Sequence, residues 1–479
     1  MKRRHAALPV SMVIFSFLAA HSAVSQTPAL TLTASPAAVA EFRQGWAAAE
    51  MNQFEPSIKH LKAALSQDPG FGLARVLYVF QGGVSNSQQT AELNRGVADA
   101  AKGGTAELLL AMAWREQAEN RAPQARALLK AVTELLPTDP FLASSLASAN
   151  AGAGRADAYA ALKEVAKKFP DYAPIYNSLA YSGWAAGDHV AALTAAEKQV
   201  QLAPRNPNAH DSYAELMQWN GKLPEALHHY QEAVDIDPTF VEALIGMAEV
   251  ETLQGHYDKA AGYVNQAIAR TSIPSQKVTY MRDLAGVYAV ANNRPKGLAA
   301  LAAAVNAAKA EGNNQLAALM LAQEAASYAA GGDAKSAHAY LDMARATYPE
   351  PAAGVSFFAA MAHGRLKHWA PATAAIAAAK AAPDAALLGD RILAAEAFLA
   401  TGQGKPADAI ALLSKADVTD ALVAGRLAEA YAATGNTAEA TKLQQQISND
   451  YALNLANWAG ANARARSRVY LMSMTPRKK

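Results

Sequence analysis

The sequence predicts an all-α chain: a solenoid of paired helices ending in a closing helix. Three observations predict it. Gly187, Gly221 and Gly255 lie 34 residues apart, each followed by the same kind of residue at the same offset. After Gly187 come His189, Ala192 and Pro204; after Gly221 come Leu223, Ala226, Tyr230, Ala233 and Pro238; after Gly255 come Tyr257, Ala260, Val264 and Ala267. Finally, 52% of the residues are hydrophobic, alanine is abundant, and only 7% are aromatic, which suits helices packed closely through small side chains. A fixed period of this length marks stacked helical hairpins, each burying its apolar face on its neighbours.

The chain begins with a leader-like segment, residues 1–25. Lys2, Arg3 and Arg4 precede an apolar run from Ala6 to Ala20, and Ala23-Val24-Ser25 supplies small residues for cleavage. This is the pattern of a secretory signal peptide, and the run is too short to span a bilayer. With no cysteine in the chain, a lipid anchor, a disulfide and thiolate chemistry are all excluded. The expectation is a periplasmic or secreted protein with no transmembrane segment after processing. Residues 26–36 read as a linker.

Residues 37–449 read as about eleven or twelve hairpins. Gly45, Phe54, Leu61, Ala64 and Pro69 mark the first, and residues 71–103 a degenerate second. Ala125, Leu129 and Pro137, then Ala158, Leu162 and Pro170, mark two weaker ones. The clearest stretch, Ala173–Arg270, carries Leu179-Ala180, Tyr213-Ala214 and Met247-Ala248 on its first helices. The frame continues through Tyr288 and Asn292, Tyr328 and Gly332, Trp369 and Ile376, Gly404 and Leu413, and Tyr431 and Gly435. A glycine in the turn permits the left-handed conformation that ends the first helix. Alanines on the second helix let the axes approach, and a proline after it stops the helix. Residues 450–479 read as a capping helix over Tyr451–Tyr470, with Arg464, Arg466 and Arg468 on its solvated outer face, followed by a basic tail.

These residues resemble the tetratricopeptide repeat (TPR), a helix A–turn–helix B unit. The resemblance implies a right-handed superhelix whose A helices line a concave groove. The inner positions of that family fall here on Asn177, Tyr181 and Trp184, then Asn208, Asp211, Glu215 and Gln218, then Glu242 and Glu249, then Arg282. Together they make an aromatic-plus-acidic strip. TPR domains that grip acidic C-terminal tails present lysine, asparagine and arginine there, so the sign of Asp211, Glu215 and Glu242 disfavours such a tail and suits a basic, hydroxyl-rich or amide-rich protein or peptide.

Charge and motifs exclude other classes. The formal charge of +2 falls to −1 without Lys2, Arg3 and Arg4, and to about −7 without the six cations of residues 460–479. No basic stripe remains for nucleic acid. Gly402-Gln403-Gly404-Lys405-Pro406 lacks the spacing of a phosphate loop and falls in a repeat turn. Adjacent His228-His229 diverge on a helix, and His363 and His368 are badly spaced for a shared ion, so neither metal nor cofactor is expected. The reading is therefore an exported, non-catalytic scaffold or adaptor that binds a protein or peptide in its groove. The alternatives are a structural accessory of an outer-membrane or polysaccharide export assembly and, further off, a small-molecule sensor or enzyme on a helical array.

Overall fold

The computed structural model describes residues 30–149, 155–452, 464, 467, 468 and 471. The leader pattern, most of the linker and most of the C-terminal segment lie outside the described residues. Among those described, the chain is entirely helical apart from turns and loops. Among the described residues twenty-four α-helices run in sequence and each odd-numbered helix packs antiparallel on the next, giving twelve hairpins.

Hairpin five (Ala173–Ala185 and His189–Leu202), six (Pro207–Trp219 and Leu223–Ile236) and seven (Glu242–Gln254 and Tyr257–Arg270) show the local logic best. The first helices of five and six open with proline in the first turn, where no amide hydrogen bond is lost. Asn206 and Asp188 cap their helices by accepting from the amides of Ala209 and Ala191. Gly187, Gly221 and Gly255 take φ of +85°, +77° and +86°, so the turn glycines are left-handed. Hairpin eight (Pro274–Val290 and Arg294–Ala310) makes the same turn with Asn292 at +54°, asparagine tolerating that region better than most side chains.

The repeated alanines occupy equivalent contacts. Ala180, Ala214 and Ala248 are fully buried, as are Ala192, Ala226 and Ala260 on the partner helices. Gly246 permits a close approach, since a β-carbon there would stand 2.2 Å from the ring of Tyr230, itself fully buried. The first helices of hairpins six and seven are buried almost all round because neighbours cover them on several sides. Second helices of hairpins six and seven bury a single stripe, as in Ala260, Ala261, Val264 and Ala267.

Small rotations between hairpins accumulate into a superhelix whose successive turns touch. Glu55, which opens the second helix of hairpin one (Pro36–Glu50 and Phe54–Gln67), accepts from the amide of Ser272 at 2.7 Å and from its hydroxyl at 2.5 Å, 217 residues away. Ser272 lies between hairpins seven and eight. The amide of Ser87 donates to the Glu311 carbonyl at 3.2 Å. Gln218 Nε2 donates to the Tyr451 carbonyl at 3.3 Å, 233 residues on, and Arg468 donates to the Leu253 carbonyl at 3.4 Å, 215 residues back. Each contact joins points between six and seven hairpins apart, and that number sets one superhelical turn.

The C-terminal segment departs from expectation in one respect. Arg464 is not solvated: it is buried, with its guanidinium 4.9 Å from the Tyr451 ring. Tyr451 reaches hairpin six through Gln218 and Arg468 reaches hairpin seven through Leu253, so Arg464 between them meets protein where water was expected, while Arg468 stays exposed. Arg466 lies outside the described residues.

Candidate functional site

The first helices of hairpins five to eight carry the ten residues of the expected strip, and the structure divides them into three groups. Asn177, Asn208, Gln218 and Glu249 belong to the first. Asn177 Nδ2 donates to Ser212 Oγ at 2.8 Å. Gln218 is fully buried, donates to Glu249 Oε2 at 3.2 Å and accepts from the Tyr230 hydroxyl at 3.1 Å. Asn208 is buried, and its amide nitrogen has no partner. The Asn177–Ser212 and Gln218–Glu249 bonds tie neighbouring first helices to one another, so Gln218 in particular is spent on the fold.

The second group is aromatic. Trp184 stacks on His189 with ring centroids 4.0 Å apart and planes inclined by 16°. Trp219 sits 5.5 Å from Trp184 and 5.8 Å from Tyr181, completing a three-ring cluster at the ends of two first helices. Trp219 stands 35 residues beyond Trp184, and that near-period was the signal in the sequence that could have found it.

The third group is acidic. Tyr181 donates its hydroxyl to Glu215 Oε2 at 2.5 Å. Burial carries the Asp211 carboxyl well above its usual range, and the Glu215 and Glu242 carboxylates push it in the same direction. Burial likewise raises Glu215, against the lowering bond from Tyr181. Glu242 is pushed by burial up to about 7, although Gln276 donates to its Oε1 at 2.8 Å, and Glu55 adds repulsion. Tyr280, buried on hairpin eight, feels Glu242, Asp283, Asp211 and Glu55 and is raised too. Asp211, Glu215 and Glu242 keep part of their surface accessible while protein crowds them on most sides. Arg282 is half-buried, its charge disfavoured by burial and supported by Asp283.

The structure thus brings Tyr181, Asp211, Glu215 and Glu242 into one neighbourhood and adds Tyr280 and Glu55. Nothing in the local sequence pointed to Glu55, which arrives from hairpin one across the gap between superhelical turns. Chemically, the cluster is a set of carboxyls that repel one another in a partly dry setting. A cation placed among them would relieve that repulsion and restore their ordinary ionisation.

Trp46 packs 5.3 Å from both Trp114 and Phe141, and Tyr172 donates its hydroxyl to Glu50 at 3.0 Å. Burial raises Glu50 to about 7.

Among the described histidines, His189, His228 and His256 are exposed. His210 is buried and lies 3.3 Å from His229 between ring nitrogens. His338 on the helix Ala334–Thr347, His363 on Ala353–Arg365 and His368 just before Trp369–Ala381 converge despite their spacing.

Residues 220–271 match the family model described as tetratricopeptide repeat. No curated relative matches the chain. Among solved structures, MamA from Desulfovibrio magneticus is 19% identical, covering 35% of this chain and 95% of its own, with a TM-score of 0.29. A thermophilic TPR protein of Thermus thermophilus is 19% identical over 37% of this chain and 97% of its own, with a TM-score of 0.33. A TPR protein of Parabacteroides merdae is 10% identical over 56% and 93%, with a TM-score of 0.35.

Proposed function

We propose that this array of helical hairpins, of which residues 220–271 match the tetratricopeptide-repeat model, is a non-catalytic interaction scaffold that receives a cationic segment of a partner protein against Asp211, Glu215 and Glu242. The observation that carries this reading is the unbalanced charge of the cluster. The charges acting on Asp211 are the carboxylates of Glu215 and Glu242, and burial raises all three groups. A lysine or arginine side chain supplies the missing charge and hydrogen-bond donors, and the Tyr181, Trp184 and Trp219 rings offer flat surface for its aliphatic stem. An acidic segment would add to the repulsion.

The leader pattern of residues 1–25 supports placing this function in the periplasm or outside the cell. Export remains part of the proposal, as does the use of the inner wall for recognition.

The test is binding of length-matched fluorescent peptides, rich in lysine and arginine, in glutamine and serine, or in aspartate and glutamate, to the full chain. The basic set is expected to bind best, to weaken with added salt, and to lose about tenfold or more in affinity in an Asp211→Asn, Glu215→Gln variant. Preference for the acidic set, or binding untouched by that double variant, would overturn the reading.

A further inference from the structure

We propose that His338, His363 and His368 form a binding site for one late first-row divalent metal ion of the zinc type. The site lies apart from the acidic cluster, on hairpin nine (Asn314–Ala330 and Ala334–Thr347) and hairpin ten (Ala353–Arg365 and Trp369–Ala381).

Backbone geometry explains why residues so spaced can meet. His363 occupies the last turn of the first helix of hairpin ten. The chain then reverses through Lys367, held at a left-handed φ of +60°, and the His368 amide donates to the His363 carbonyl at 2.9 Å. His368 stands at the position just before the next helix, with its ring making no capping bond. The two rings therefore stand on one edge of the hairpin instead of on opposite sides of a continuous helix. His338, on the second helix of hairpin nine, faces them. Its ring centroid is 5.7 Å from that of His363 and 5.3 Å from that of His368, the latter pair inclined by 16°.

One nitrogen from each ring can be chosen so that all three lie within 4.8 Å of one another. Imidazole nitrogens bind zinc at about 2.0–2.1 Å, which places ligands of a tetrahedral ion roughly 3.3 Å apart. Rotation of partly exposed rings supplies the remaining contraction. A second observation points to a ligand independently: His363 Nδ1 is buried and has no hydrogen-bond partner. A buried ring nitrogen without a partner costs free energy, and a metal ion or a bound solvent molecule would satisfy it. The donor set contains three neutral nitrogens and no carboxylate, which suits zinc, copper or nickel and not calcium or magnesium. The nearby cation, Arg345, is exposed and pairs with Asp342 at 3.8 Å, so solvent screens its opposition to a second positive charge. Three protein ligands leave a fourth position open to solvent or to a side chain of another molecule.

The experiment is equilibrium dialysis of the full chain, without any added histidine tag, against Zn2+, with bound metal measured by mass spectrometry. One ion per chain is expected, with affinity falling by more than about tenfold in each of His338→Gln, His363→Gln and His368→Gln. A His228→Gln, His229→Gln variant should bind as the parent does. Circular dichroism monitors folding. Should His363→Gln disturb it, the two variants at His338 and His368 decide the matter. Co2+ in place of Zn2+ should give the visible absorption of a low-symmetry nitrogen site. Absence of a stoichiometric ion, or loss of binding in the His228/His229 variant with the other three unaffected, would overturn the proposal.

Discussion

Glu242 lets the acidic cluster be weighed through stability. Its carboxyl is carried from 4.5 to about 7, chiefly by burial. At ~1.4 kcal/mol per pH unit, the charged form costs the folded chain at most about 3.5 kcal/mol relative to the unfolded one. The sign follows from a raised pKa: the fold is favoured while Glu242 is protonated, and that favour is fully present below about pH 4.5. It drains away as pH rises from there through about 7. Glu242→Gln fixes the neutral state and keeps an oxygen for Gln276. The variant should match the parent near pH 4.5 and exceed it by about 1–3 kcal/mol near pH 8, the lower value allowing for relaxation and for accessible surface. Hydrogen exchange of the helices Glu242–Gln254 and Pro274–Val290 is the suitable assay, because a long repeat array need not unfold in one step. A variant that gains nothing at pH 8, or gains equally at both pH values, would refute the argument that burial and repulsion hold this carboxyl up.

Two further outcomes follow from packing and superhelical contact. Gly246→Ala places a methyl group 2.2 Å from the Tyr230 ring, which is buried and bonded to Gln218. Overpacking of about 1–3 kcal/mol should outweigh the ~1 kcal/mol gained in helix propensity, lowering the thermal midpoint, and an unchanged midpoint would mean the ring can yield. Glu55→Ala removes both bonds to Ser272 between superhelical turns. Small-angle scattering should then show a more extended particle with helix content unchanged, and an identical scattering curve would assign the stacking to other contacts.

Much of the chain was legible because its determinants are local. The left-handed turn at Gly187, Gly221 and Gly255 follows from the missing β-carbon, and the burial of Ala180, Ala214 and Ala248 follows from their place in the period. The acidic neighbourhood was legible in part: Asp211, Glu215 and Glu242 sit at repeating positions on successive first helices. Gln218 shows the limit, since a position that lines the groove by register is consumed by Tyr230, Glu249 and Tyr451. Arg464 shows it again, buried against Tyr451 where register alone suggested water.

By itself the sequence determined an all-helical array, the form of its turns and the small side chains at its closest contacts. These depend on a few neighbouring residues and recur with the period. Only the tertiary structure decided that between six and seven hairpins complete a superhelical turn, and therefore that Glu55 joins Glu242, that Tyr451 meets Gln218, and that three histidines share one edge. The reason is cumulative. Each hairpin adds a small rotation set by the volumes at its interface, and the sum over many hairpins chooses which distant side chains become neighbours.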